Sequence, residues 1–268
     1  RRGPVLSELG QALVEAGQHE QALAIWQEAE AVIGQIKDAD EKGSAFSELG
    51  QALAEVGQWE WAQTIWQEAA AVISQIEDAE ERENALSELG QTLAEVGQWD
   101  QAQAVISQIK DTWLREIAFS DLAQTLAEAG QWERTEAVIS QITHLGARGI
   151  ALSCLGQALT QASQWERAQA AWQTARVMLG QIKDAWFRQQ VLSELMQMVV
   201  QALAQTGQWE RAEAVIGQIE QDWFKEDALS KLEQLLTQAG QWEQVKAMIG
   251  QAKRDWFREN ASSKLKQT

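Results

Sequence analysis

Few side chains in this 268-residue chain could do chemistry, and their types and spacing exclude most of it. There is one cysteine, Cys154, and there are two histidines, His19 and His144. A zinc site takes about four Cys, His or carboxylate ligands. These three could not complete one without carboxylates, so neither a metal nor a cofactor is expected. A lone Cys also rules out an internal disulfide. Cys154 stands where other parts of the chain carry an acid (Glu48, Glu88, Asp121), with no His near it in the pattern, and reads as an unreactive thiol. His144 lies in Thr143-His144-Leu145-Gly146, a loop sequence to which no chemistry is assigned. Neither Gly-x-Gly-x-x-Gly nor Gly-x4-Gly-Lys-Ser/Thr occurs, so no phosphate-cradling loop is expected. Carboxylate pairs such as Glu77/Glu81 and Glu48/Glu55 could serve as acid and base only if burial separated their pKa values. They fall on solvent-facing arcs and recur along the chain, whereas an active site occurs once. The chain is expected not to be an enzyme.

Two other residue sets recur. The chain has fourteen Trp and no Tyr. Trp59, Trp99, Trp132, Trp165, Trp209 and Trp242 follow a Gly-Gln or Ser-Gln pair; Trp26, Trp66 and Trp172 lie farther along; Trp113, Trp186, Trp223 and Trp256 sit in Asp-Trp-Phe-like contexts. Base stacking or an aromatic cage would use such residues. Their fixed repeat positions favour packing instead, with the hairpin set expected in the core and one of two adjacent aromatics in the Trp-Phe set partly exposed. The second set is a polar ladder: Ser7/Gln11, Ser47/Gln51, Ser87/Gln91, Ser120/Gln124, Ser153/Gln157 and Ser193/Gln197. Each pair is spaced i, i+4 and shares a helix face.

Repetition identifies the elements that position these residues. The Gly-Gln-Trp string or a one-residue variant begins at 17, 57, 97, 130, 163, 207 and 240, with spacings of 40, 40, 33, 33, 44 and 33. Residues 10–49 and 50–89 are identical at 26 of 40 positions. The longer units contain a block like Ile25–Ala31 that the 33-residue units lack. Seven residues are close to two α-turns, so the insertion lengthens a helix and keeps its buried face nearly in register. The 44-residue unit adds four more within Met196–Ala204, about one turn. Over Ser44–Val56, Phe46, Leu49, Gly50, Leu53 and Val56 share one arc at 100° per residue, with Ser47, Gln51 and Ala54 opposite and Glu48 and Glu55 on the flank. Gly57 suits a left-handed C-terminal cap. Trp59 then opens a second helix carrying Ala62, Ile65, Trp66, Ala69, Val72, Ile73 and Ile76. Joining segments such as Lys37–Asp40 and Glu77–Glu80 put acids where the next helix begins, which its dipole favours. Ser163 replaces Gly at one turn and should leave that hairpin strained or differently closed.

Leu49-Gly50, Leu53, Gly57, Trp59, Ala62, Trp66 and Ala69 resemble the signature of the tetratricopeptide repeat family. Leu9-Gly10, Leu13, Gly17, Ala22, Trp26 and Ala29 match it, as do Leu89-Gly90, Leu93, Gly97, Trp99 and Ala102, and Leu155-Gly156, Leu159, Trp165, Ala168, Trp172 and Ala175. The terminal Pro of the family is absent, and the units run from 33 to 44 residues. The resemblance implies an all-α fold: an α-solenoid, a right-handed superhelix of antiparallel helix hairpins. One such solenoid is expected over 1–268, with about seven hairpins and a polar capping helix at 255–267. It also implies that the first helix of each hairpin lines a concave groove holding a peptide or protein partner. The ladder would then be a neutral hydrogen-bonding groove, or else a solvated surface copied by repetition.

Charge divides the chain. Residues 1–134 hold eight Lys or Arg against twenty-five Asp or Glu, while 135–268 hold fourteen of each, so the net −17 lies in the first half. That half repels phosphate backbones and anionic bilayers, so no nucleic acid and no membrane partner is expected. No apolar run approaches the ~20 residues of a membrane span. The chain opens at Arg1-Arg2-Gly3 and reads as a soluble piece of something longer, expected to be cytoplasmic, with its first hairpin uncapped and open to homo-oligomer contacts; the family resemblance implies the recognition part of a larger signalling or regulatory protein. The rival expectation is a structural or engineered array without a ligand.

Overall fold

The computed structural model describes residues 2–216 and scattered positions between 228 and 237. The seventh hairpin, its turn near 240 and the helix expected at 255–267 lie outside the described residues. Among the described residues there are twelve α-helices and no strand. They follow one another as hairpins: α1 (Arg2–Glu15) with α2 (His19–Gly34), α3 (Ala39–Glu55) with α4 (Trp59–Ile73), α5 (Ala79–Glu95) with α6 (Trp99–Ile106), and α7 (Thr112–Glu128) with α8 (Trp132–Gln141). Next come α9 (Leu145–Gln161) and α10 (Trp165–Leu179), then α11 (Ala185–Gln205) and α12 (Trp209–Ile216). The chain divides into two compact units, 1–155 and 156–268.

The insertions fall where helical periodicity puts them. Second helices with the seven-residue block run 15 or 16 residues (α2, α4, α10), against 8 in α6 and 10 in α8. α11 has 21 residues where α3, α5, α7 and α9 have 17, four more, as one added turn requires.

Each described hairpin closes on a left-handed residue. Gly57 has φ 81°, and the bonds Gly57 N–H to Ala54 O (2.9 Å) and Gln58 N–H to Leu53 O (2.8 Å) form a Schellman cap. Ser163 makes the same two bonds at φ 61°, so its hairpin is closed like the others and carries the strain of a Cβ in that region. First helices start on Asp caps: Asp38, Asp78, Asp111 and Asp184 each accept a backbone N–H from the first turn. His144 takes that place before α9, its Nδ1 accepting from Ala147 N–H at 3.3 Å. A basic residue in the first turn reaches back to the preceding helix end, Lys42 to Gly34 O (2.9 Å), Arg82 to Ile76 O (2.8 Å) and Arg115 to Ile109 O (2.8 Å). A cation there also complements the negative end of that helix.

The core forms where a second helix beds into its first. A Cβ at Gly50 would lie 2.3 Å from Trp66 Nε1, and Gly10 and Gly156 stand likewise against Trp26 and Trp172. Only glycine lets these rings seat. Trp66 is buried, with Nε1 donating to Ser47 O at 3.3 Å; Trp26 donates to Ser7 O at 3.2 Å. In the first unit each first helix also packs on the next one, α1 on α3, α3 on α5 and α5 on α7. Second helices meet the following hairpin chiefly through its first helix.

Candidate functional site

Because first helices have neighbours on several sides, little of their circumference stays open. Beyond the first turn, the exposed residues on α3 are Ser44, Glu48 and Glu55 with half-buried Gln51 between them; on α5 they are Asn84, Glu88, Gln91 and Glu95; on α7, Asp121, Gln124 and Glu128. This spacing makes one solvent stripe per helix. The serines of the ladder do not share it. Ser7, Ser47 and Ser153 are buried, and Ser87 and Ser120 are half-buried. Ser87 lies in the seam between α5 and α7 beside Asp121 and Leu122, where a small side chain permits close approach. The side chain of Ser193 lies outside the described residues. Gln11, Gln51 and Gln157 are half-buried, and Gln91, Gln124 and Gln197 are exposed.

The glutamines pair with carboxylates of the stripe. Gln91 Nε2 donates to Glu95 Oε1 at 3.0 Å, and Gln124 Nε2 to Glu128 Oε1 at 2.9 Å. Gln11 on α1 reaches Glu55 Oε2 on α3 at 2.5 Å, joining neighbouring hairpins. Burial, and then the charge of Glu8, raises the pKa of Glu48 above the usual carboxylate range, and burial raises that of Asp121. Cys154 continues the row. Burial, then the carboxylates of Glu128 and Asp121, push its thiol up to about 11, so it is protonated at neutral pH and a poor nucleophile. Among the described residues no three His, Cys, Asp or Glu side chains gather as a metal would require.

The residue pattern of the tetratricopeptide repeat matches residues 3–28, which begin in α1 and end in α2, and residues 84–108, across α5 and α6. The chain carries tetratricopeptide repeats. No curated protein matches it. Among solved structures, it is similar to Ton1535 from Thermococcus onnurineus NA1, at 15% identity and a TM-score of 0.32 over 92% of this chain and 95% of that one. Tetratricopeptide repeats are in general non-enzymatic modules of protein–protein interaction. Among the described residues no helix is long and apolar enough to cross a membrane.

Two expectations about tryptophan need correction within these repeats. The hairpin-slot residues are not in the core: Trp59 is 44% exposed, and Trp99, Trp132 and Trp165 are half-buried. The slot opens the second helix two residues past the turn, where Trp99 folds over its own turn glycine instead of entering the hairpin interface. Among the described residues, the core Trp residues are Trp26, Trp66 and Trp172. In the Trp-Phe set, Trp186 and Phe187 are both exposed, and Trp113 is exposed with its ring edge-to-face on His144 at 5.1 Å. Trp223, Trp242 and Trp256, and the side chain of Trp209, lie outside the described residues.

Sequence reading missed two buried acids. Glu83 Oε2 accepts the backbone N–H of Asp111 at 2.8 Å. Glu116 accepts from the Thr143 hydroxyl, from Thr143 N–H at 3.2 Å and from His144 N–H at 2.7 Å. Burial alone would raise the pKa of Glu116, but these bonds outweigh it and hold the carboxyl below its ordinary value. Both acids clamp the start of the next hairpin.

Proposed function

We propose that the first-helix face of residues 1–155 holds a basic, extended segment of a protein partner. The observation that carries this reading is the Gln11–Glu55 bond between neighbouring first helices, which joins the stripes of α1 and α3, while α5 and α7 carry the same stripe on packed neighbours. Along it run Glu8, Glu48, Glu88 and Asp121, then Glu55, Glu95 and Glu128, with amide donors between the rows. Burial raises the pKa of Asp121, and burial followed by the charge of Glu8 raises that of Glu48, so a partner's cation placed there would favour their ionised forms. Such a face repels phosphate, so nucleic acid is not its partner.

The experiment selects peptides from an unbiased library on the full chain. Selected peptides should be basic, bind more weakly as salt rises, and lose binding in a Gln51→Lys, Gln91→Lys, Gln124→Lys triple variant. Each substitution should shift stability by about 0.5 kcal/mol or less, because Gln91 and Gln124 are exposed and Gln51 is half-buried at the edge of the same stripe. Peptides that bind the triple variant normally would overturn the reading.

A second reading is favoured by α1 itself. Val5 and Leu9 are 60% and 43% exposed, whereas the equivalent Ala45 and Leu49 of α3 are buried. This open face is where a second copy would pack, and a concentration-independent monomer mass in light scattering would exclude it.

A further inference from the structure

We propose that Trp59, with Glu60 beside it, is an open slot for an arginine side chain of a protein partner. It lies at the hairpin turns and is independent of the first-helix face. The chain itself shows what such a slot takes. In the second unit, the guanidinium of Arg211, from the start of α12, lies 4.4 Å over the ring of Trp165 at the start of α10. Arg211 also donates to Gln208, so its planar head is fixed by an amide while its face meets the indole. Cation–π contact of this kind favours Arg over Lys because the guanidinium is flat and weakly hydrated.

In the first unit, the turns of the third and fourth hairpins bound a cleft of about 420 Å3, with Trp99, Asp100 and Gln101 on one side and Gln131 and Arg134 on the other. Arg134 holds the position equivalent to Arg211, two residues after its hairpin Trp, and pairs with Asp100 at 3.4 Å. In one junction an arginine of the following hairpin covers the aromatic ring, and in the other it pairs with the acid that follows the aromatic.

The junction after Trp59 differs. The equivalent position of the following hairpin is Gln101, which carries no charge. Trp59 is left 44% exposed, next to an exposed Glu60, in the acidic part of the chain. The aromatic face and the acid are retained, and the internal cation is missing. A partner's arginine supplies the group that Arg211 and Arg134 supply elsewhere.

Calorimetric titration of the full chain with hexa-arginine and hexa-lysine peptides tests this. The arginine peptide should bind more tightly, and Trp59→Ala should reduce that preference by about two- to fivefold. Gln101→Arg should fill the slot from within and reduce the preference similarly. Gln75→Arg, at the far end of α4, adds the same charge and should leave it intact. Equal affinity of both peptides for the parent, or a preference unchanged in Gln101→Arg, would overturn the proposal. The second outcome decides even if Trp59→Ala folds poorly.

Discussion

Long and short hairpins of this chain solve one packing problem in two ways. In the long ones, α1/α2, α3/α4 and α9/α10, the first helix offers a bare glycine (Gly10, Gly50, Gly156) and a Trp sixteen residues later fills the notch. In the short ones, the same spacing joins Gly90 to Ile106 and Ala123 to Ile139, all buried. A second position changes in step. Gly43 of α3 lies against Ile73, near the far end of long α4, where a Cβ would come within 2.7 Å of Ile73 Cγ1. The equivalent residues of α5 and α7 are Glu83 and Glu116, whose carboxylates grip the loop after the shorter second helix. Where two turns of helix are missing, a buried acid takes over the contact that their apolar end makes. The seven-residue block is therefore tolerated because one second-helix position (Trp or Ile) and one first-helix position (Gly or Glu) change with it.

The largest effect should come from the long hairpins' notch. Trp66→Ala should cost about 3–5 kcal/mol as a large core truncation. Trp99→Ala, at a half-buried turn position, should cost about 1 kcal/mol or less. Denaturant titration of both variants measures the contrast; equal losses would break the distinction between core and turn tryptophans. Gly50→Ala belongs with the first, because its Cβ would collide with a buried ring, and overpacking of this kind costs about 1–3 kcal/mol.

The short hairpins' acid comes next. Glu116→Ala leaves the N–H groups of Thr143 and His144 without their acceptor and should cost about 1–3 kcal/mol. The pH dependence has a definite sign. Glu116 is held below its ordinary value when folded, so its contribution is complete above the unfolded pKa of about 4.3 and is lost as pH falls through the lower folded value. The gap between the parent and Glu116→Gln should therefore narrow on acidification through that range. A gap that stays constant would mean that the charge of Glu116 does not act there.

Helix lengths, hairpin turns and the seven- and four-residue insertions were legible because helical periodicity and glycine placement are properties of single segments. Burial around a first helix was less legible. The wheel of α3 put Ser47 and Ala54 opposite the core, yet both are buried, because neighbouring first helices close on that arc. The stripe left open is the flank that carries Glu48 and Glu55. Trp59 misled for the opposite reason: a large aromatic at a fixed repeat position reads as core, but a position next to a turn has neighbours on one side only. Glu83 and Glu116 did leave a signal. Gly stands at that position in units with the seven-residue block (Gly3, Gly43, Gly149), and Glu83 and Glu116 in units without it, with Gln189 in the sixth unit, a pattern visible only when units of different length are aligned.

The smallest effect concerns the turn, which long and short hairpins share, and it tests whether closure is independent of helix length. Ser163 adopts φ 61° with the same cap bonds as the glycines, so Ser163→Gly should relieve about 1 kcal/mol of left-handed strain. Glycine also loosens the unfolded chain by about 0.4–1 kcal/mol, which offsets most of that gain. The net stabilisation should stay below about 1 kcal/mol. Gly57→Ser is the mirror experiment, since a Cβ at Gly57 meets nothing within 4 Å and only backbone strain is tested. Gly130→Ser repeats it in a short hairpin, where the added Cβ makes only ordinary contact with Trp132 at 3.5 Å. The two glycine variants should lose the same small amount in thermal melts. A clearly larger loss in one of them would mean that the length of the second helix reaches the turn, and that the two hairpin types differ in closure as well as in packing.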